Sequence, residues 1–287
     1  MNLSHSLSSF LLLFLFLFIS PSNSTTDYTS LVLKGCANQK FPDPQSIYIQ
    51  NLNSLFTSLN SQSSLSKFFK STAGDSQSAI TGLFQCRGDL SIPDCNNCVN
   101  KLPQISLKLC GGDAIAVRIQ LVGCYLRYEI AGFRQVSGTE FLHKVCKPEE
   151  GLVPSAVWTA LGEIEKGMMM TGDGFYAGSY ESVFVLGQCE GDLGNSDCVE
   201  CVKNAVEKVK IECGNSISAQ IYLQKCYISY TYYPNGVSPR TQSGTGTGQN
   251  TQKIVAIVFG GSACFGLTVA CLLFLRSTFK KNQYYKY

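Results

Sequence analysis

Twelve cysteines lying between two apolar segments fall into two sets of six, and the spacing of the first set nearly recurs in the second. The first reads Cys36-x49-Cys86-x8-Cys95-x2-Cys98-x11-Cys110-x13-Cys124, the second Cys146-x42-Cys189-x8-Cys198-x2-Cys201-x11-Cys213-x12-Cys226. Neighbouring residues repeat as well. Gln85-Cys86-x-Gly88-Asp89-Leu90 matches Gln188-Cys189-x-Gly191-Asp192-Leu193, and Asp94-Cys95-x-x-Cys98-Val99 matches Asp197-Cys198-x-x-Cys201-Val202. One small cysteine-rich unit of roughly 100 residues is therefore present twice.

The apolar segments place these units in the cell. Residues 10–19 make a ten-residue apolar run, about 15 Å of helix. That is too short for a hydrocarbon core of about 30 Å and matches the apolar region of a secretory signal. Ser22 and Ser24 follow it, so residues 1–24 are read as a signal peptide. Residues 254–275 form an uncharged run of 22 residues, about 33 Å of helix and long enough to span a bilayer. Arg276, Lys280, Lys281 and Lys286 follow the run, which puts the tail, 276–287, in the cytoplasm. The expected topology is single-pass and type I, in the plasma membrane, with the ectodomain extracellular. Four of the 23 basic residues sit in that tail, leaving nineteen outside against twenty acidic ones, a net charge of −1. The formal +3 of the whole chain is thus no sign of nucleic-acid binding.

Within the ectodomain the reading gives one cysteine-rich module over 25–135, a second over 136–236, and a Ser/Thr/Gly-rich tether over 237–253. Ile49, Leu52, Leu55, Phe56 and Leu59 recur at helical spacing after Pro44. A second helix is expected from about Asp94, whose carboxylate would cap it, with Pro103 kinking or shortening it. Its counterpart starts near Asp197 with the stripe Val199, Val202, Ala205, Val206, Val209. Alternation marks strands at Ile115–Val117–Ile119–Leu121 and Ile217–Ala219–Ile221–Leu223, then at 125–130 and 227–233. Further strands are expected at 30–33, 79–85 and 182–186. Alternation describes a sheet with one covered face, with helices to cover it, so the class is α+β.

An even count of six cysteines per module beside a secretory signal points to three disulfides each, in an oxidising compartment. Zinc would strand a remainder and has no nearby His, and a redox Cys-x-x-Cys would need an exposed thiol of low pKa. Each bridge would contribute roughly 2.5–4.5 kcal/mol for loops of these lengths. The residues alone do not choose among the pairings. Only His5 and His143 exist, and the carboxylates are scattered, so no catalytic, metal or cofactor site is expected.

The Cys-x8-Cys-x2-Cys core resembles the cysteine-rich salt-stress-response/antifungal domain, whose simplest member is a ginkbilobin-type seed protein. The resemblance implies a five-stranded antiparallel sheet with two helices in each module. It also implies the pairing Cys36–Cys110, Cys86–Cys95, Cys98–Cys124, then Cys146–Cys213, Cys189–Cys198, Cys201–Cys226. Two modules also occur in cysteine-rich receptor-like kinases, but only twelve residues follow the spanning run here. A signal, two modules, one spanning helix and a short tail instead resemble the plasmodesmata-located proteins. Gly35-Cys36-Ala37-Asn38-Gln39-Lys40-Phe41, Tyr180-Glu181-Ser182-Val183 and Tyr232-Tyr233-Pro234-Asn235-Gly236-Val237 are similar to that family's wording. The resemblance implies residence at plasmodesmata and influence on channel permeability and cell-to-cell trafficking, through callose deposition. The partners it implies are viral movement proteins, receptor-like kinases, a cell-wall glycan, and homo- or hetero-oligomeric contacts.

The ginkbilobin-type protein binds mannose through an Asn, an Arg and a Glu. Arg118 and Glu129 occupy the last two positions in module one, whereas the Asn position is Ala37; module two has Lys147, Gln220 and Thr231. Arg118 and Glu129 are thus the candidate binding residues for a glycan or other polar ligand, since a guanidinium and a carboxylate suit hydroxyl groups. The competing reading makes them a salt bridge between adjacent strands. A glycan-binding or antifungal receptor is the alternative function they would serve.

Overall fold

The computed structural model describes residues 27–42, 47–134, 136–148 and 155–234. The signal peptide, tether, spanning run and tail assigned above lie outside these residues. The chain divides between Ser137 and Gly138 into two compact units. No helix among the described residues is long and apolar enough to cross a membrane.

The first unit runs β1 (Leu31–Cys36), α1 (Ile47–Gln62), β2 (Phe68–Ala73), β3 (Ile80–Cys86), α2 (Ile92–Cys110), β4 (Ala116–Leu121), β5 (Cys124–Ile130). Its five strands form one sheet in the order β1-β4-β5-β3-β2, every neighbouring pair antiparallel. The second unit repeats this with β6 (Phe141–Pro148), α3 (Ser155–Thr171), β7 (Phe175–Tyr180), β8 (Val183–Cys189), α4 (Asn195–Cys213), β9 (Ser216–Leu223), β10 (Cys226–Tyr232). Its sheet order is β6-β9-β10-β8-β7. These are the α+β modules that the residue patterns and the resemblance describe.

Each core lies between the helices and one sheet face. In α1 the buried residues are Leu52, Leu55, Phe56 and Leu59, the spacing of a single helical stripe. They share one core with Ile80 and Phe84 of β3, and Phe56 meets Tyr128 of β5 edge-on with centroids 5.8 Å apart. Each fully buried aliphatic or aromatic side chain contributes about 1.5–3 kcal/mol relative to exposure. In the second unit Val202, Ala205, Val206 and Val209 of α4 face Ala219, Ile221 and Leu223 of β9. Gly187 allows the close approach of α3, since a Cβ there would sit 2.5 Å from Ile164 Cγ2.

Two expectations need correction. The helix α2 begins at Ile92, and its cap is Ser91, not Asp94. Ser91 Oγ accepts from the Asp94 backbone N–H at 3.2 Å and donates to Asp94 Oδ2 at 2.7 Å, a reciprocal pair in the manner of a capping box. Nor does Pro103 shorten the helix, because α2 and α4 both have 19 residues. The sheet face away from the helices is also less solvated than simple alternation suggests: Leu83, Gln120, Arg127, Leu186 and Gln188 are all buried.

Candidate functional site

The six disulfides are Cys36–Cys110, Cys86–Cys95, Cys98–Cys124, Cys146–Cys213, Cys189–Cys198 and Cys201–Cys226, each inside one module. They are the pairs the resemblance implies. The two cysteines of each Cys-x-x-Cys sit on one helix and reach different partners, Cys95 to β3 and Cys98 to β5 in module one. Cys95, Cys98, Cys198 and Cys201 are buried. All four are held in bridges, so none of them is the exposed thiol that a redox Cys-x-x-Cys would need. Among the described residues no His/Cys/Asp/Glu cluster could hold a metal ion.

Arg118 and Glu129 lie on the sheet face away from the helices, because Val117, Ile119, Leu126 and Tyr128 take the core face and strand neighbours alternate. The register sets Arg118 opposite Arg127 and Glu129 opposite Ala116. The two candidates are therefore diagonal neighbours on adjacent strands. Their pairing is different from the sequence expectation. Glu129 Oε1 accepts from Arg127 Nη2 at 2.6 Å and from Arg127 Nε at 2.9 Å, while Oε2 accepts from the Arg134 backbone N–H at 2.8 Å. Both carboxylate oxygens are thus engaged within the module. Arg118 instead lays its guanidinium over the Tyr125 ring, 4.6 Å from the centroid.

Arg127 is the residue that sequence reasoning missed. Its side chain is 5 % exposed, and its guanidinium stacks on Phe133 at 4.3 Å as well as bonding Glu129. A signal was available: Arg127 and Glu129 are two apart on a strand and so share a face. The turn that brings Phe133 and Arg134 back over this face contains Ala131 and Gly132 at φ 56 and 89.

Module two builds the centre of the same face, on β9 and β10, from neutral groups. Gln220 and Thr231 replace Arg118 and Glu129, facing Ser229 and Ser218 across the strands. Tyr222 stacks on Tyr227 with centroids 5.2 Å apart and donates from its hydroxyl to Gln220 Oε1 at 2.7 Å. Lys147 lies on the edge strand β6 opposite Ser218. Ala37, beyond β1, donates its backbone N–H to Ala116 O at 2.9 Å and offers no polar side chain. The three-residue mannose pattern is thus absent from module two and lacks its amide in module one.

Repeated disulfide-braced sheets of this kind define a class: residues 35–131 and 155–233 match the salt stress response/antifungal domain family. The chain is 48 % identical to plasmodesmata-located protein 2 of Arabidopsis thaliana, covering 99 % of both, and 49 % identical to plasmodesmata-located protein 1, covering 96 % of this chain and 98 % of that one. The tandem DUF26 ectodomain of the Arabidopsis thaliana cysteine-rich receptor-like protein PDLP8 superposes with a TM-score of 0.65 at 29 % identity, covering 71 % of this chain and 98 % of that chain. The chain belongs to the plasmodesmata-located protein family.

Proposed function

We propose that this chain is a single-pass type I plasma-membrane protein of plasmodesmata. It tunes cell-to-cell trafficking and channel permeability through contacts of its ectodomain, with callose deposition as the route and without catalysis of its own. The observation that carries the reading is similarity along nearly the whole length to two plasmodesmata-located proteins, signal and spanning runs included. The chemistry of the modules fits it, since the cysteines are spent on bridges and the Glu129 carboxylate is engaged by Arg127 and the Arg134 backbone. A rigid surface of this kind recognises partners by shape and polarity. Its partners belong to the channel membrane, its proteins or the adjoining wall.

A fluorescent protein fused behind Tyr287 and imaged in leaf epidermis tests the placement. Puncta paired across shared walls are expected, and an even plasma-membrane signal would reject the reading. In this account Arg118 and Glu129 serve the sheet. Glycan-array binding by the full chain that Arg118→Ala abolishes would favour the glycan-receptor alternative instead.

A further inference from the structure

The chain has four methionines, Met1 and the contiguous triplet Met168, Met169 and Met170 at the C-terminal end of α3. The helix sorts the triplet sharply. Met168 is 0 % exposed, packed in the core with Ile164 and set against Gly187, where a Cβ would lie 2.9 Å from its methyl. Met169 is 58 % exposed and Met170 83 % exposed. Met169 stands three helical turns from Trp158 on the same side of α3, and Trp158 is itself an exposed apolar side chain. The six bridges of the ectodomain require an oxidising compartment.

We propose that Met169 and Met170 are a peroxide-modification site, oxidised to sulfoxides by hydrogen peroxide while Met168 stays a thioether. In each step the sulfur lone pair attacks one peroxide oxygen. The O–O bond breaks, an S–O bond forms, and the departing oxygen leaves as water after proton transfer. Sulfur is oxidised by two electrons and the peroxide is reduced by two. The product is a polar, chiral acceptor in place of a flexible apolar chain. Two such changes convert the exposed end of α3 from apolar to polar and leave the core of module two as it was. Oxidation of Met168 would instead force a sulfoxide into a packed interior, and its burial is what prevents that.

The test uses the full chain, purified in detergent and treated with hydrogen peroxide in its native state. Proteolytic peptides spanning Gly167–Lys203 are then sequenced by mass spectrometry. The expected result is two added oxygens, fragmented to Met169 and Met170, with oxidation at Met168 slower by at least about tenfold. Denaturant should abolish the difference between the three. The M169L/M170L chain should gain no oxygen there when native, and its melting temperature should match that of the oxidised wild type. Equal oxidation of all three methionines in the folded chain, or none at Met169 and Met170, would overturn the proposal.

Discussion

Single side chains in the two modules make their own controls. Tyr128 and Tyr230 occupy equivalent places four residues past the last cysteine of each module, and both are essentially buried. The Tyr230 hydroxyl donates to Ser216 O at 2.6 Å, and burial pushes its pKa up to about 12. The Tyr128 hydroxyl has no hydrogen-bond partner among the described residues, and burial raises its pKa too. Removing a paired hydroxyl and an unpaired one should have opposite consequences. Tyr230→Phe should cost about 0.5–1.5 kcal/mol in urea unfolding, whereas Tyr128→Phe should be neutral or stabilising. The face of sheet one gives a second residue-scale prediction. Glu129→Ala leaves the nearly buried Arg127 without its carboxylate and should cost about 2–4 kcal/mol. The guanidinium of Arg118 over the Tyr125 ring contributes about 0.5–1 kcal/mol of what Arg118→Ala should cost. A denaturant midpoint for Glu129→Ala equal to that of the wild type would refute the pairing of Glu129 with Arg127.

At the scale of elements, acidic side chains fix strands and loops to their neighbours. Lys40 Nζ lies 2.7 Å from Asp113, holding the segment after β1 to the loop after α2, and Lys144 Nζ lies 2.8 Å from Glu212, holding β6 to the end of α4. The hydrogen bond and charge of Lys40 lower the Asp113 pKa, and those of Lys144 lower the Glu212 pKa. Hydrogen bonds from Ser78 do the same for Asp75 in the turn before β3. A carboxylate with a lowered folded-state pKa binds its proton more readily when unfolded. Its contribution is therefore complete above the ordinary carboxylate range and is lost as pH falls through the folded value. Melting temperature should decline on acidification below about pH 5, and Asp113→Asn with Glu212→Gln should flatten that decline. These groups are exposed, so the flattening should be small, and the double variant near neutrality should be less stable by that same small amount.

Which elements the residue pattern revealed follows from burial. Strands β4, β5, β9 and β10 are central, and their alternation shows plainly because one face is core. The edge strands β2 and β7 bury little, with burial that never reaches the core level, and so carry no clear period. Helix α3 was hidden differently: Trp158, Met169 and Met170 are apolar yet exposed, which blurs its stripe. Ser91 could have been read as the cap from the Ser-x-x-Asp pattern with Pro93 behind it. The disulfide pairing could not be read from spacing, and the bond from the Arg134 backbone N–H to Glu129 required knowing that the chain curls back through Gly132 after β5.

At the scale of the whole molecule, the repeated modules depend on sulfur. Replacing Cys98 and Cys124 by Ser should cost module one about 2–5 kcal/mol and impair its secretion. Cys36 is exposed on the edge strand β1, while every cysteine of the other two bridges in its module is buried. Thiolate attack needs access, so graded reduction followed by alkylation mapping should open Cys36–Cys110 before Cys86–Cys95 or Cys98–Cys124. The central claim, that the braced ectodomain regulates the channel by contact, is tested most directly by movement between cells. A diffusible fluorescent protein is released from single epidermal cells with the full chain raised, absent, or carrying the Cys98/Cys124→Ser change. The account predicts that the intact chain shifts the number of cells reached and that the bridge-deleted chain does not. Identical spread in all three conditions would contradict it.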